Sequence, residues 1–353
     1  MSEDISTRDE NNRQQTVYVV YEHNTATTEK IDNFLKDNSL KVLKKEDAVD
    51  LTGETAPFIG RVIDTAFEHA QAAIVLLTED EKVQLCKIFQ HDDDEDFEKD
   101  FSFQSTQEQL FEAGYAFGKS PKHTILVQHG NVRPFSDIIG RYILSFNDTK
   151  KDYDTLRTHL ERAMSIIEEE SFGVPIDSRR VFVVHGRNIA AKKAMFAFLR
   201  SLGLLPIEWD QAVELTEPGA PFTGEALVAG LDDAQAVVVL LTGDDLVQLN
   251  EKDTEGRPLQ ALQVRPNVLF EAGMAFSRYA ERTILVQLGK VRSCKRIDGR
   301  TLVKLTDKPA WRWVLMRRLH KAGCPVNFYG DWRNAGNFNV VSCKIESQPI
   351  PNN

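Results

Sequence analysis

Three short stretches in the second half of this sequence hold the residues best suited to chemistry. His185-Gly-Arg-Asn188 follows a run of β-branched residues. Gly186 permits close approach to the backbone, and the planar cation of Arg187 can grip a phosphate through paired hydrogen bonds. The same four residues also read as a plain strand-to-helix turn with Asn188 as N-cap. Thr242-Gly-Asp-Asp245 follows another apolar run, and its hydroxyl and carboxylates (Thr242, Asp244, Asp245) suit either ribose hydroxyls or a second cap. Arg265-Pro-Asn-Val-Leu-Phe-Glu-Ala-Gly273 opens a helix with proline at an allowed first-turn position. Glu271 stands there between Phe270 and Ala272, and a carboxylate in so apolar a setting needs a partner or a task. A structural glutamate bonded to neighbouring backbone is the alternative.

The elements that must carry these stretches alternate in type. Arg180–Val184 reads as a short strand, and Ala190–Leu202 as a helix with Ala194, Met195, Phe198 and Leu202 on one face. A strand near Leu205–Glu208 follows, then the irregular Pro/Gly-rich stretch Glu217–Phe222, a helix from about Gly224 to Ala234, and the wholly apolar strand Ala236–Leu241. A loop, a helix over Pro266–Tyr279 and a strand over Arg282–Gln287 complete the series. Such alternation predicts an α/β fold with right-handed crossovers and a doubly wound, flavodoxin-like parallel sheet of order 2-1-3-4-5. Ligands bind that architecture outside the carboxyl ends of the strands, where the three stretches fall.

The whole series occurs twice. Val17–Asn24 aligns with Val181–Asn188, and Thr52–Leu85 aligns without a gap with Thr216–Leu249, both at an offset of 164, with nearly half the positions of the longer block identical. Further on, Leu110-Phe-Glu-Ala-Gly114 matches Leu269-Phe-Glu-Ala-Gly273 at an offset of 159. The first copy therefore carries five extra residues in its acidic segment between Cys86 and Gln104, and His91–Asp96 reads as a solvated loop. We expect a polar N-terminal tail over 1–15, a first domain over 16–172, a linker over 173–178, a second domain over 179–328 and a C-terminal extension over 329–353. Core positions agree between the copies, whereas candidate ligand positions do not. His185-Gly-Arg becomes Tyr21-Glu-His, and Arg265-Pro-Asn becomes Thr106-Gln-Glu. Glu112 persists opposite Glu271, either as a remnant or because this glutamate is structural in both copies. The division of labour expected is a working second copy and a degenerate first.

Composition excludes several classes. No run approaches the roughly 20 apolar residues of a membrane span, and Met1–Gln15 lacks an apolar signal core, so a cytoplasmic protein without membrane contact is expected. A net charge of −10 over 353 residues speaks against a nucleic-acid groove. Cys86, Cys294, Cys324 and Cys343 are widely spaced, which suggests reduced thiols and neither a disulfide framework nor zinc; no other metal-ligand set is visible.

His185-Gly-Arg, the Leu-Leu-Thr-x-Asp-Asp turn ending at Asp245 and Arg265-x-Asn-x-x-Phe-Glu-x-Gly273 together resemble the signature of predicted nucleotide-binding, TIR-like domains of bacterial anti-phage effectors. The resemblance spans Arg180 to about Val326 and, through the repeat, residues 17 to about 147. It implies NAD+ as substrate or ligand, with no separate cofactor. By motif position Glu271 would be the glutamate that helps cleave the nicotinamide–ribose bond, with His185, Gly186, Arg187, Thr242, Asp244, Asp245, Arg265 and Asn267 around the nucleotide. Nicotinamide leaves NAD+ as a neutral molecule, so one carboxylate suffices without a general acid. A nucleotide-binding or signal-sensing module without turnover is the alternative. No sensor domain is recognisable, so a switch would lie in an activator protein, self-assembly or the first repeat. The two copies are expected to pair pseudo-symmetrically, and Trp311, Trp313, Leu315, Met316 and Leu319 to pack on their own sheet.

Overall fold

The chain, in a computed structural model, is described at residues 16–23, 26–166, 176–216, 218, 221–252, 258–339 and 343. The N-terminal tail, residues 173–175 of the expected linker, and Glu217, Gly219 and Ala220 of the Pro/Gly-rich stretch lie outside the described residues. In the first copy β1 (Thr16–Val20), α1 (Ala26–Asp37), β2 (Lys41–Leu43), α2 (Lys45–Leu51), α3 (Ile59–His69) and β3 (Ala72–Leu77) lead to β4 (Glu81–Leu85), α4 (Asp96–Lys99) and β5 (Ser102–Gln104). Then come α5 (Gln107–Lys119), β6 (Thr124–Gln128), β7 (Leu144–Ser145) and α6 (Lys150–Ser165). The second copy repeats this as β8 (Arg180–Val184), α7 (Ile189–Ser201), β9 (Leu205–Ile207), α8 (Trp209–Glu214), α9 (Thr223–Asp232) and β10 (Ala236–Thr242). It continues through β11 (Asp245–Lys252), β12 (Pro258–Gln263), α10 (Pro266–Tyr279), β13 (Thr283–Leu288), β14 (Val303–Lys304) and α11 (Pro309–Lys321).

Each copy forms a five-stranded parallel sheet, β2-β1-β3-β6-β7 and β9-β8-β10-β13-β14, which is the expected order 2-1-3-4-5. Strand alternation divides the apolar side chains between two layers. Val17 and Val19 face an outer core of the first copy, and Val181 and Val183 that of the second. Tyr18, Val20, Phe182 and Val184 face inward into one core shared by both copies. Leu315, Met316 and Leu319 pack, as expected, under their own sheet in the second outer core, where the C-terminal extension adds Trp332 and Phe338.

The copies are joined by more than this core. Where a loop was expected after β10, β11 and β12 form a hairpin, and β11 pairs antiparallel with β4 of the first copy, giving the sheet β12-β11-β4-β5. Val83 lies opposite Val247, its repeat equivalent at an offset of 164, so a pseudo-twofold axis passes between them. On the same axis α5 packs against α10. A methyl at Gly114 would overlap the Phe270 carbonyl, and one at Gly273 would overlap the Phe111 carbonyl, the same contact made twice because 111 and 114 are equivalent to 270 and 273. The expected pseudo-symmetric pair is thus present.

The expectation of four reduced thiols fails: Cys86 and Cys343 form a disulfide across 257 residues, and only Cys294 and Cys324 are free thiols, both buried. Their separation along the chain concealed a proximity that the fold creates. No helix among the described residues is long and apolar enough to cross a membrane.

Candidate functional site

The carboxyl ends of β8 and β10 and the start of α10 bring the three stretches together. Asn188 caps α7, accepting from the Ala191 amide at 3.1 Å, while its own amide donates to Asp244 Oδ2 at 3.2 Å. The Asp244 carboxylate lies directly against Gly186, where any Cβ would collide with it. A larger residue at 186 would have to displace the protein's own carboxylate. Burial raises the pKa of Asp244, with Thr242 and the Asn188 amide partly restraining it. Its other oxygen, Oδ1, is buried with no hydrogen-bond partner. Thr242 ends β10 and Asp245 begins β11, so this stretch is neither a cap nor an open turn: Thr242, Asp244 and Asp245 are all buried. His185 is half-buried, its Nδ1 lies 2.9 Å from the Gly186 carbonyl oxygen, and burial lowers its pKa.

Arg187, Arg265 and Asn267 line a cleft of about 470 Å³, closed on its far side by Ser136, Phe135 and the acidic segment of the first copy. Most of that segment is solvated as expected, with His91, Asp92, Asp93, Glu95 and Asp96 exposed, but Asp94 and Glu98 turn to the second copy. Asp94 accepts from Arg187 Nη2 at 2.8 Å, and Glu98 takes both Nη groups of Arg265, at 2.7 and 2.8 Å. Arg133 of the first copy also reaches Glu98, and Asp245 sits 3.4 Å from both arginines. Four buried groups, two of each sign, thus tie the copies together. Burial opposes ionisation of Glu98, but Arg265 and Arg133 outweigh it and hold the carboxyl below its usual range. Likewise burial opposes the charge on Arg265, and Asp245 and Glu98 raise its pKa in spite of it. The two arginines expected to take a diphosphate are therefore occupied by carboxylates of the first copy.

Glu271 lies one turn after Asn267 on α10. Its only described hydrogen bond is from Asn267 Nδ2, at 3.4 Å. Burial and the neighbouring Asp137 of the first copy push its pKa well up, with Asn267 pulling back. Asp137 is itself driven to about 7 by burial, against Ser136 and Arg141. Each of these buried carboxyls therefore favours its protonated form. Glu112 has the opposite environment. Arg296 of the second copy bonds it through Nε, Lys45 Nζ lies 3.3 Å away, and Tyr18 donates to it at 3.4 Å. Arg296 Nη2 also reaches Glu22 at 2.8 Å, so the glutamate that replaced Gly186 in the first copy belongs to this ion cluster. Arg296 and Asp137 are repeat equivalents at an offset of 159.

Asp94, Glu98, Arg133 and Asp137 escaped the sequence reading. Asp137 left a trace: Val132, Arg133 and Ile138 recur as Val291, Arg292 and Ile297, and between them an acid, Asp137, faces a base, Arg296. Among the described residues no group of three or more His, Cys, Asp or Glu is arranged to hold a metal.

A parallel 2-1-3-4-5 sheet with a glutamate-bearing helix after its third strand, built twice in one chain, defines a pair of tandem TIR-like domains. A family model described as the TIR domain of the CAP12/Pycsar effector protein matches residues 16–148 and again 180–307, and the chain belongs to that family. The chain is also 26% identical over 151 residues to the uncharacterized protein YuaY of Escherichia coli strain K12. That match covers 42% of this chain and 48% of YuaY, so it spans about half the length of that relative.

Proposed function

We propose that the second copy binds NAD+ and hydrolyses its nicotinamide–ribose bond, as an effector of bacterial anti-phage defence, and that the first copy is its non-catalytic partner. The observation that carries this reading is the contrast between the two equivalent glutamates. Glu112 is neutralised by Arg296, while Glu271 faces Asp137 and has no cation beside it among the described residues. Two buried carboxyls that both favour the protonated form are poised for a cationic guest. The positive nicotinamide ring supplies the opposite charge that draws both towards ionisation, and an ionised Glu271 stabilises the oxocarbenium-like ribose as the bond breaks. The electron pair of the C1′–N bond leaves with neutral nicotinamide, water adds at C1′, and one proton is released. Arg187 and Arg265 would hold the diphosphate once Asp94 and Glu98 yield it. A reaction on NAD+ implies work in the cytoplasm, with an activator protein or self-assembly as the means of opening the cleft.

The test is incubation of the purified full chain with NAD+ and chromatographic separation of the products, with and without Glu271→Gln. Free nicotinamide from the wild type and none from the variant is the expected result. The pairing of both arginines with carboxylates favours a second reading, a nucleotide-binding module that does not turn over. A thermal shift with intact NAD+, unaccompanied by nicotinamide even after Asp94→Asn, would decide for it.

A further inference from the structure

A separate cleft of about 380 Å³ lies between the copies, within the range of about 300–1,000 Å³ of small-molecule sites. Both copies build it: the Asp137–Tyr142 segment and α6 from the first, and Phe222–Glu225 at the start of α9 from the second. Three large apolar side chains at its rim stand in solvent, with Tyr142, Phe222 and Ile139 at 68, 67 and 59% exposure. Such a cluster of exposed apolar surface marks a place where something binds. Tyr142 stacks flat on His159, centroids 5.1 Å apart and planes 11° apart, which steadies its ring.

The cleft also holds cations that form no ion pair among the described residues, although Asp137 and Glu225 share its lining. Arg141 lies over the Phe117 ring at 4.6 Å, and its Nε donates to the Asp137 carbonyl at 3.1 Å. Its two Nη groups have no hydrogen-bond acceptor among the described residues. Gly224 leaves them room, since a methyl there would strike Nη2. Burial lowers the pKa of Arg141, and Asp137 and Glu225 only partly offset this. Lys122 and Arg162 stand on the same wall, with no ion pair among the described residues. The repeat-related cleft keeps Phe58, Gly60 and Arg300, but Asp298 replaces Ile139 and Thr301 replaces Tyr142. Two exposed rings, Tyr142 and Phe222, thus meet Arg141, Lys122 and Arg162 in this cleft, whereas the repeat-related one has the single ring of Phe58 beside Arg300.

We propose that this cleft is a second ligand site that takes a small anion carrying a planar ring, the chemistry of a nucleoside monophosphate. The ring lies against Tyr142 and Phe222, and the phosphate is held by Arg141 with Lys122 or Arg162. Asp137 is part of the wall, so a ligand here touches the group beside Glu271. The site does not depend on the NAD+ reading.

Calorimetric titration of the full chain with AMP, CMP, GMP and UMP in turn, and with inorganic phosphate and adenosine as fragments, tests this. At least one monophosphate should bind roughly tenfold or more tightly than either fragment, because ring and anion are each recognised. Arg141→Ala and Tyr142→Ala should each weaken it by roughly tenfold, the loss of a charge-assisted contact or a stacked ring. Arg187→Ala, in the other cleft, should leave it unchanged. Tyr142 is exposed enough that its variant keeps the test open if Arg141→Ala does not fold. No heat with any of the four, equal binding of phosphate alone, or loss with Arg187→Ala while Arg141→Ala and Tyr142→Ala still bind would each overturn the proposal.

Discussion

Glu112 and Arg296 form a buried ion pair across the two copies, and the pseudo-twofold axis carries that pair onto two carboxyls, Glu271 and Asp137. One change of sign at an otherwise matched position separates a structural contact from a chemically poised one. It also explains why Glu112 persists: removing it would strand Arg296, only 5% exposed, with Glu22 as its remaining partner.

Substitution of the two glutamates should therefore divide cleanly. Glu112→Gln leaves an under-compensated buried guanidinium, which costs about 3–5 kcal/mol, so its melting temperature should fall while any turnover per folded molecule survives. Glu271→Gln removes a carboxyl that has no cation to lose and should melt within a degree or two of wild type, yet abolish release of nicotinamide. Parallel thermal denaturation and nicotinamide assays check both, and equal loss of activity from the two variants would undo the division of labour.

Stability should depend on pH through Asp137. Its folded-state pKa of about 7 lies above its unfolded value, so between about pH 4 and 7 the folded chain binds more protons and loses stability as pH rises. If the whole shift is realised, the loss is on the order of 4 kcal/mol. Asp137→Asn abolishes this slope and relieves Glu271 of a neighbouring charge. Other buried carboxyls, such as Asp244 and Asp245, titrate alike in both proteins, so the difference between their melting curves from pH 5 to 8 isolates the pair. Superimposable slopes would count against a raised Asp137 pKa.

Asp94 should act as a brake on the Arg187 cleft. The Arg187 side chain is 37% exposed, so its bond to Asp94 contributes little to stability, about 1 kcal/mol or less. Asp94→Asn should then leave melting nearly unchanged but free a cation for phosphate, tightening NAD+ binding by roughly fivefold to tenfold. Glu98→Gln is a poorer probe, because it strips a carboxylate from a buried cluster that also contains Arg133, Arg265 and Asp245. Titration of NAD+ into wild type and Asp94→Asn measures the effect, and an unaltered affinity would mean that Arg187 takes no part in binding.

Local pattern made the sheets legible and distance hid the site. Ala236–Leu241 is apolar throughout because strand β10 is covered on both faces, and the helix over Pro266–Tyr279 is bounded as its proline indicates. The hairpin β11–β12 was missed although Val247 is buried, because its pairing with β4 depends on a strand more than 150 residues away. The same holds for Asp94 with Arg187, 93 residues apart, and Glu98 with Arg265, 167 apart. Arginine, glycine and glutamate in the second copy could be singled out as a candidate site by type and spacing. That the first copy supplies the opposing carboxylates could not, since an acidic run has no periodicity to show which way it faces.

The closest approach of the two copies gives a test whose sign alone decides. Gly114 and Gly273 lie inside α5 and α10, where alanine in place of glycine ordinarily stabilises a helix by about 1 kcal/mol. Here the added methyl meets backbone, the Phe270 carbonyl in one case and the Phe111 carbonyl in the other, and no side-chain rotation relieves the overlap. The helices must move apart, and the shared core that contains Phe111, Phe270 and Phe276 must open with them. Overpacking of this kind costs about 1–3 kcal/mol, so both Gly114→Ala and Gly273→Ala should be destabilising. Because one core serves both copies, calorimetry should still show a single transition, with calorimetric and van't Hoff enthalpies equal. Stabilisation by either alanine, or two separate transitions in the wild type, would show that the copies do not fold as one unit.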